Sequence, residues 1–141
     1  MRVLILRLAS LAALGVVLCC GWFATLELVL RRPDYGWRFL VAAALVVEGA
    51  LTLAVIENLI DLPALRSPLS VGAAATALLG VWLIADDLSR PGLPAAHHFE
   101  GYLLLIGLAL LGYGVMTVLA MGVRRGQTPS DPVWHRPKIA R

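Results

Sequence analysis

Glu48 sits near the middle of an otherwise apolar run from Phe39 to Ile60. Insertion scales put an acid at the centre of a spanning helix at roughly +2.5 to +3.5 kcal/mol, so a carboxyl there marks either a site or a buried contact. On a helix it shares a stripe with Ala44 and Thr52, a small and slightly polar face rather than a leucine face. Hydrocarbon favours the neutral acid, which donates as well as accepts. Two chemistries suit it: carrying a proton or cation, or hydrogen bonding to a neighbouring helix. Glu57 stands nine residues on, half a turn round, and cannot pair with Glu48 on the same helix. Glu57, Asn58 and Asp61 instead group at the end of that run, within reach of Arg66, Arg124 or Arg125.

A second polar group surrounds a Pro- and Gly-containing stretch. Asp86 and Asp87 precede it, and His97, His98 and Glu100 follow it. Imidazole and carboxylate together are ligands for a divalent metal, and His97 and Glu100 at i, i+3 can share one ion on a helix. No H-E-x-x-H pattern supports this, and Glu100 also suits a helix N-terminus electrostatically. No other cofactor is expected.

These residues are positioned by apolar spans. The chain has 141 residues, 60% hydrophobic and 15% charged, whereas soluble domains carry about 25% charged residues. Four apolar segments stand out, at 8–30, 39–60, 69–85 and 102–123. Each satisfies the ~17–25 residues that a helix needs to cross a bilayer. The predicted fold is an all-α integral membrane four-helix bundle over residues 1–123 with short loops. Residues 124–141, rich in Pro and basic side chains, read as a flexible tail. Pro33, Pro63, Pro68, Pro91 and Pro94 are expected in the connections. The apolar run continues from Cys19 to Leu30 without an A-x-A site, which points to an uncleaved first helix.

Four helices place both termini on one side. Eight basic residues (Arg2, Arg7, Arg66, Arg124, Arg125, Arg136, Lys138, Arg141) then face four (Arg31, Arg32, Arg38, Arg90). The positive-inside rule favours cytoplasmic termini and a multi-pass protein of the inner membrane. The trio Arg31, Arg32 and Arg38 opposes this, partly offset by Glu27 and Asp34. Trp22, Phe23, Tyr35, Trp37, Phe39, Trp82, Phe99 and Tyr102 then form an interfacial belt at the opposite side.

Helices in lipid associate through close backbone approach and a few polar contacts. Gly72, Thr76 and Gly80 recur every four residues in the third span, and Gly107 and Gly114 form a stripe in the fourth. Both stripes predict helix packing, within the chain or between copies. The fourth span also aligns Tyr102, Ala109, Tyr113 and Thr117 on a separate stripe.

Absences narrow the function. No histidine lies in a span, no lysine precedes Lys138, and no nucleotide or hydrolase motif occurs. Adjacent Cys19 and Cys20 suit packing rather than redox work. The basic residues form no face for nucleic acid. The expected partners are the lipid bilayer and either a second copy or another membrane protein. The sequence thus reads as a non-catalytic accessory, assembly or structural subunit. A small proton-coupled transporter or ion path through Glu48 and Thr52 is the alternative, and an outer-face metal site is a third.

Overall fold

In the computed structural model the chain forms α1 (Arg2–Leu30), α2 (Gly36–Ile56), α3 (Pro63–Ser89) and α4 (Glu100–Arg125). Residues 1–30, 36–89 and 100–126 are described, with side chains in α4 from Leu103 onward. All four helices are long and apolar enough to cross a membrane, and no strand occurs among the described residues. The bundle class read from the sequence is the observed one.

Helix ends follow local chemistry. Asn58 adopts a left-handed φ of 59°. That lets Leu59 N–H bond the Ala54 carbonyl at 2.8 Å and Asn58 N–H bond the Val55 carbonyl at 3.4 Å. This paired 6→1 and 5→2 arrangement ends a helix while satisfying carbonyls that would otherwise be left bare, and asparagine tolerates the required conformation. The second span therefore stops at Ile56, short of residue 60.

α3 is longer than expected. It begins at Pro63 and contains Pro68, giving 27 residues where the apolar run supplies seventeen. Pro63 occupies the first helical position, where its missing N–H has no partner to lose. Pro68 forfeits only one bond, to the carbonyl of Ala64 in the opening turn. The two prolines thus lie inside the helix and not in the connection.

The helices run up and down, and their pairing is uneven. α3 packs closely on α4, α1 on α2, and α1 less extensively on α4; α2 and α3 barely meet. The order around the bundle is α2, α1, α4, α3, with a seam between the outer two.

Small residues set the close contacts. A Cβ added to Gly80 would sit 2.6 Å from the Gly107 carbonyl oxygen and 2.7 Å from Leu111 N, and Gly114 lies tight against Ala73 and Ala77. Across α1 and α2, a Cβ on Gly49 would meet Val17 Cγ2 at 3.0 Å and the Ala13 carbonyl at 3.2 Å. Ala9, Ala13, Ala73 and Ala120 are wholly buried, whereas Leu11, Leu18, Leu40, Val71 and Leu78 face outward. Apolar bulk outside and small residues inside is the arrangement that lipid as solvent selects.

Candidate functional site

Glu48 lies on α2 at the seam, and its side chain crosses it. Oε2 accepts a hydrogen bond from Thr76 Oγ1 of α3 at 2.9 Å. Oε1 accepts from Tyr113 Oη of α4 at 3.4 Å. Tyr113 Oη also lies 3.1 Å from Thr52 Oγ1, one turn along α2 from Glu48. A phenol has one proton, so when it serves Glu48 the Thr52 hydroxyl donates to the phenol. Three helices are thereby joined through one carboxyl.

Around this carboxyl the burial is steep. Thr52 and Thr117 are fully buried and Tyr113 nearly so, while Glu48 itself is half-buried. Thr117 lies one turn beyond Tyr113, and its hydroxyl is buried without a hydrogen bond. Gly72 packs on the carboxyl of Glu48, with room for an added Cβ at 3.4 Å.

The half-exposure of Glu48 comes from the open seam. A groove of about 540 Å³ runs from it toward Leu65 and Pro68, lined also by Ala43, Ala44 and Leu51. A smaller one of about 270 Å³ runs the other way, toward Val41, Ala75 and Leu79. Glu48, Ala44 and Gly72 belong to both. The two lobes meet at the carboxyl, and their walls are otherwise apolar apart from the Thr76 hydroxyl.

The sequence-derived site residues separate on this framework. Glu48 and Thr52 fall in one hydrogen-bonded group, though not bonded to each other. Of the Gly72–Thr76–Gly80 ridge, Gly80 packs on α4 at Gly107, while Gly72 and Thr76 turn to Glu48. The Thr76 and Gly80 part of the ridge is occupied within the chain, while Gly72 also borders the open seam. Tyr113 was visible in the sequence as part of a polar stripe on α4, but nothing there tied it to a residue 65 positions away.

The acids at the end of α2 take different partners. Asp61 forms an ion pair with Arg66 at 3.0 Å. Glu57 accepts from Ser10 of α1, a contact with no signature in the sequence. Arg124 reaches the Asn58 side chain and the Ile56 carbonyl, and Arg66 also donates to the Arg124 carbonyl at 3.3 Å. A cation at the carboxyl end of α2 complements the negative pole of the helix dipole there.

Asp86 and Asp87 occupy the last turn of α3, half-buried. His97, His98 and the side chain of Glu100 lie outside the described residues, as do Tyr35 and Phe99. Among the described residues no three His, Cys, Asp or Glu side chains gather closely enough to hold a metal ion. Cys19 and Cys20 are free thiols, the first exposed and the second half-buried.

No protein-family model matches the chain, and neither a curated protein nor a solved structure does. The fold and site define a small membrane protein built from four helices of spanning length.

Proposed function

We propose that the protein is a non-catalytic accessory, assembly or structural subunit of the inner membrane, with both termini cytoplasmic. The carrying observation is that Glu48 is engaged in holding α2, α3 and α4 together through Thr76 and Tyr113. The spans carry no further acid at that depth with which it would form a relay. The excess of basic residues at the ends of the chain supports the orientation. Its partner is a second copy or another membrane protein. Because Thr76 and Gly80 of the Gly72–Thr76–Gly80 ridge are engaged within the chain, that partner does not meet the ridge as a whole. Native mass spectrometry of protein released gently from its own membrane tests this. A defined assembly heavier than the 15.1 kDa chain is expected; a lone monomer would overturn it.

A second reading is favoured by one observation: the groove leads from the lipid side to Glu48. A small proton-coupled transporter would use this carboxyl as the exchanging group. In liposomes such a protein moves substrate or protons, and Glu48→Gln abolishes the flux while leaving the fold intact. Equal flux from the variant would remove this reading.

A further inference from the structure

The seam between α2 and α3 is more than unfilled space. It has two apolar lobes of about 540 and 270 Å³ with one carboxyl where they join. The seam is an open groove rather than an enclosed cavity, but it shares with ligand sites between helices its apolar walls and a few polar groups converging at one point. Small residues keep it open, since Ala44 and Ala75 are exposed and Gly72 has no side chain to close it.

We propose that the seam binds a compact lipophilic monocation whose positive centre is surrounded by apolar groups, with Glu48 as its counter-charge. The proposal rests on the second reading's site but not on transport; the cation is bound whether or not it is carried.

Charge complementarity comes first. The ionised form of Glu48 has no basic neighbour: the spans contain no Arg, Lys or His at its depth. Arg66 and Arg124 are committed to Asp61, Asn58 and the end of α2. The neutral acid that hydrocarbon favours gives up its proton to water as the cation enters, and the low dielectric that disfavours a lone carboxylate strengthens its attraction for that cation.

Hydrogen bonding then narrows the class. Both carboxyl oxygens already accept, from Thr76 and Tyr113. Each oxygen keeps a further lone pair, but beyond this carboxyl and the Thr76 hydroxyl the walls offer no acceptor for the several N–H donors of a primary ammonium. A quaternary centre, charged and without donors, therefore fits the groove. A divalent metal does not fit, because Ca²⁺ seeks about six to eight oxygen ligands and Mg²⁺ near-ideal octahedral geometry. Here a single carboxyl and a hydroxyl face the groove.

Depth excludes a simple amphiphile. Glu48 is twelve residues after Gly36 and eight before Ile56, about 18 Å and 12 Å along the axis. A head group anchored at either membrane surface cannot reach it. A cation dissolved in the bilayer and apolar on every side can, with one lobe for the bulk of its groups and one for the remainder.

The test uses the whole protein in nanodiscs of zwitterionic phosphatidylcholine, with radiolabelled tetrapentylammonium as probe and equilibrium dialysis as readout. The expected result is saturable binding near one per chain. It should weaken at least roughly tenfold in Glu48→Gln, which keeps an acceptor oxygen but loses the charge, and equally in Gly72→Leu, which obstructs the junction of the two lobes beside the carboxyl. Tetraphenylborate, an anion, should bind no more than to empty nanodiscs. Absence of saturable binding to helical wild-type protein overturns the proposal, as does binding unchanged in Glu48→Gln. If Glu48→Gln fails to fold, Gly72→Leu decides, and unchanged binding there likewise overturns it. Flux is measured separately in liposomes: saturable binding without flux ends the transport reading and leaves the binding site standing.

Discussion

At the scale of single residues, the group around Glu48 is a set of obligations. Removing one member leaves the others buried without partners, and that loss exceeds the net value of the bond. Glu48→Ala should therefore destabilise the bundle by about 1–3 kcal/mol, read from the unfolding midpoint in mixed detergent micelles. Glu48→Gln preserves an acceptor toward Thr76 and should cost less. Tyr113→Phe removes the bridge between Thr52 and Glu48, and hydrogen bonds between membrane helices are worth about 0.6 kcal/mol on average and at most ~1.7. The same midpoint measurement ranks all three; a Tyr113→Phe effect larger than that of Glu48→Ala would contradict the geometry. Glu48 itself was legible in the sequence, because a lone acid in an apolar run is conspicuous. Its partners were not. Thr76 reads as one step in a small-residue ridge and Tyr113 as one step in a stripe, and neither position reveals which helix stands opposite.

At the scale of helices, the glycines divide by what surrounds them. Gly80 and Gly107 face each other's backbone, and an added Cβ on either would fall under 3 Å from a main-chain oxygen. Backbone cannot step aside, so Gly80→Ala and Gly107→Ala should each cost about 1–3 kcal/mol, the usual range for overpacking. Gly112 and Gly122 have nothing within 4 Å. Alanine there should be neutral or stabilising by about 0.5–1 kcal/mol, because it removes backbone entropy from the unfolded helix. Thermal unfolding of the four variants in one detergent checks the ordering. Asn58 offers a parallel test at a helix end: Asn58→Ala forces a side chain with no special tolerance into left-handed φ, costing about 1–2 kcal/mol, whereas Asn58→Gly relieves that cost and loses only the contact with Arg124. The spans were legible because apolar length is a strong signal, but their limits were not. Proline discounts a helix in the sequence, yet Pro63 and Pro68 stand where the first turn has few backbone bonds to lose. The end of α2 was hidden for the converse reason, since apolar Leu59 and Ile60 continue the pattern past the turn that Asn58 makes.

At the scale of the whole molecule, the outer surface is what the bilayer sees. Trp22, Trp37 and Trp82 are each more than 60% exposed and all lie in the half of the bundle away from the termini. With Trp134 replaced by Phe, indole fluorescence should be quenched more by lipids brominated near the head group than by those brominated at the chain ends. The reverse order would place these rings deeper than the bundle allows. The uneven pairing of the helices carries a different consequence. α1 with α2 and α3 with α4 are two hairpins, each closely packed by its own glycines, and they meet chiefly along Ala9, Ala13, Leu110 and Ala120, with the Glu48 hydrogen bonds as the link across the seam. The turn from Glu57 to Leu62 therefore tethers two bodies that already recognise each other. Cut after Ile60 and co-expressed as two pieces, the protein should reassemble in the membrane and copurify, each piece inserting as a finished unit and finding the other by collision.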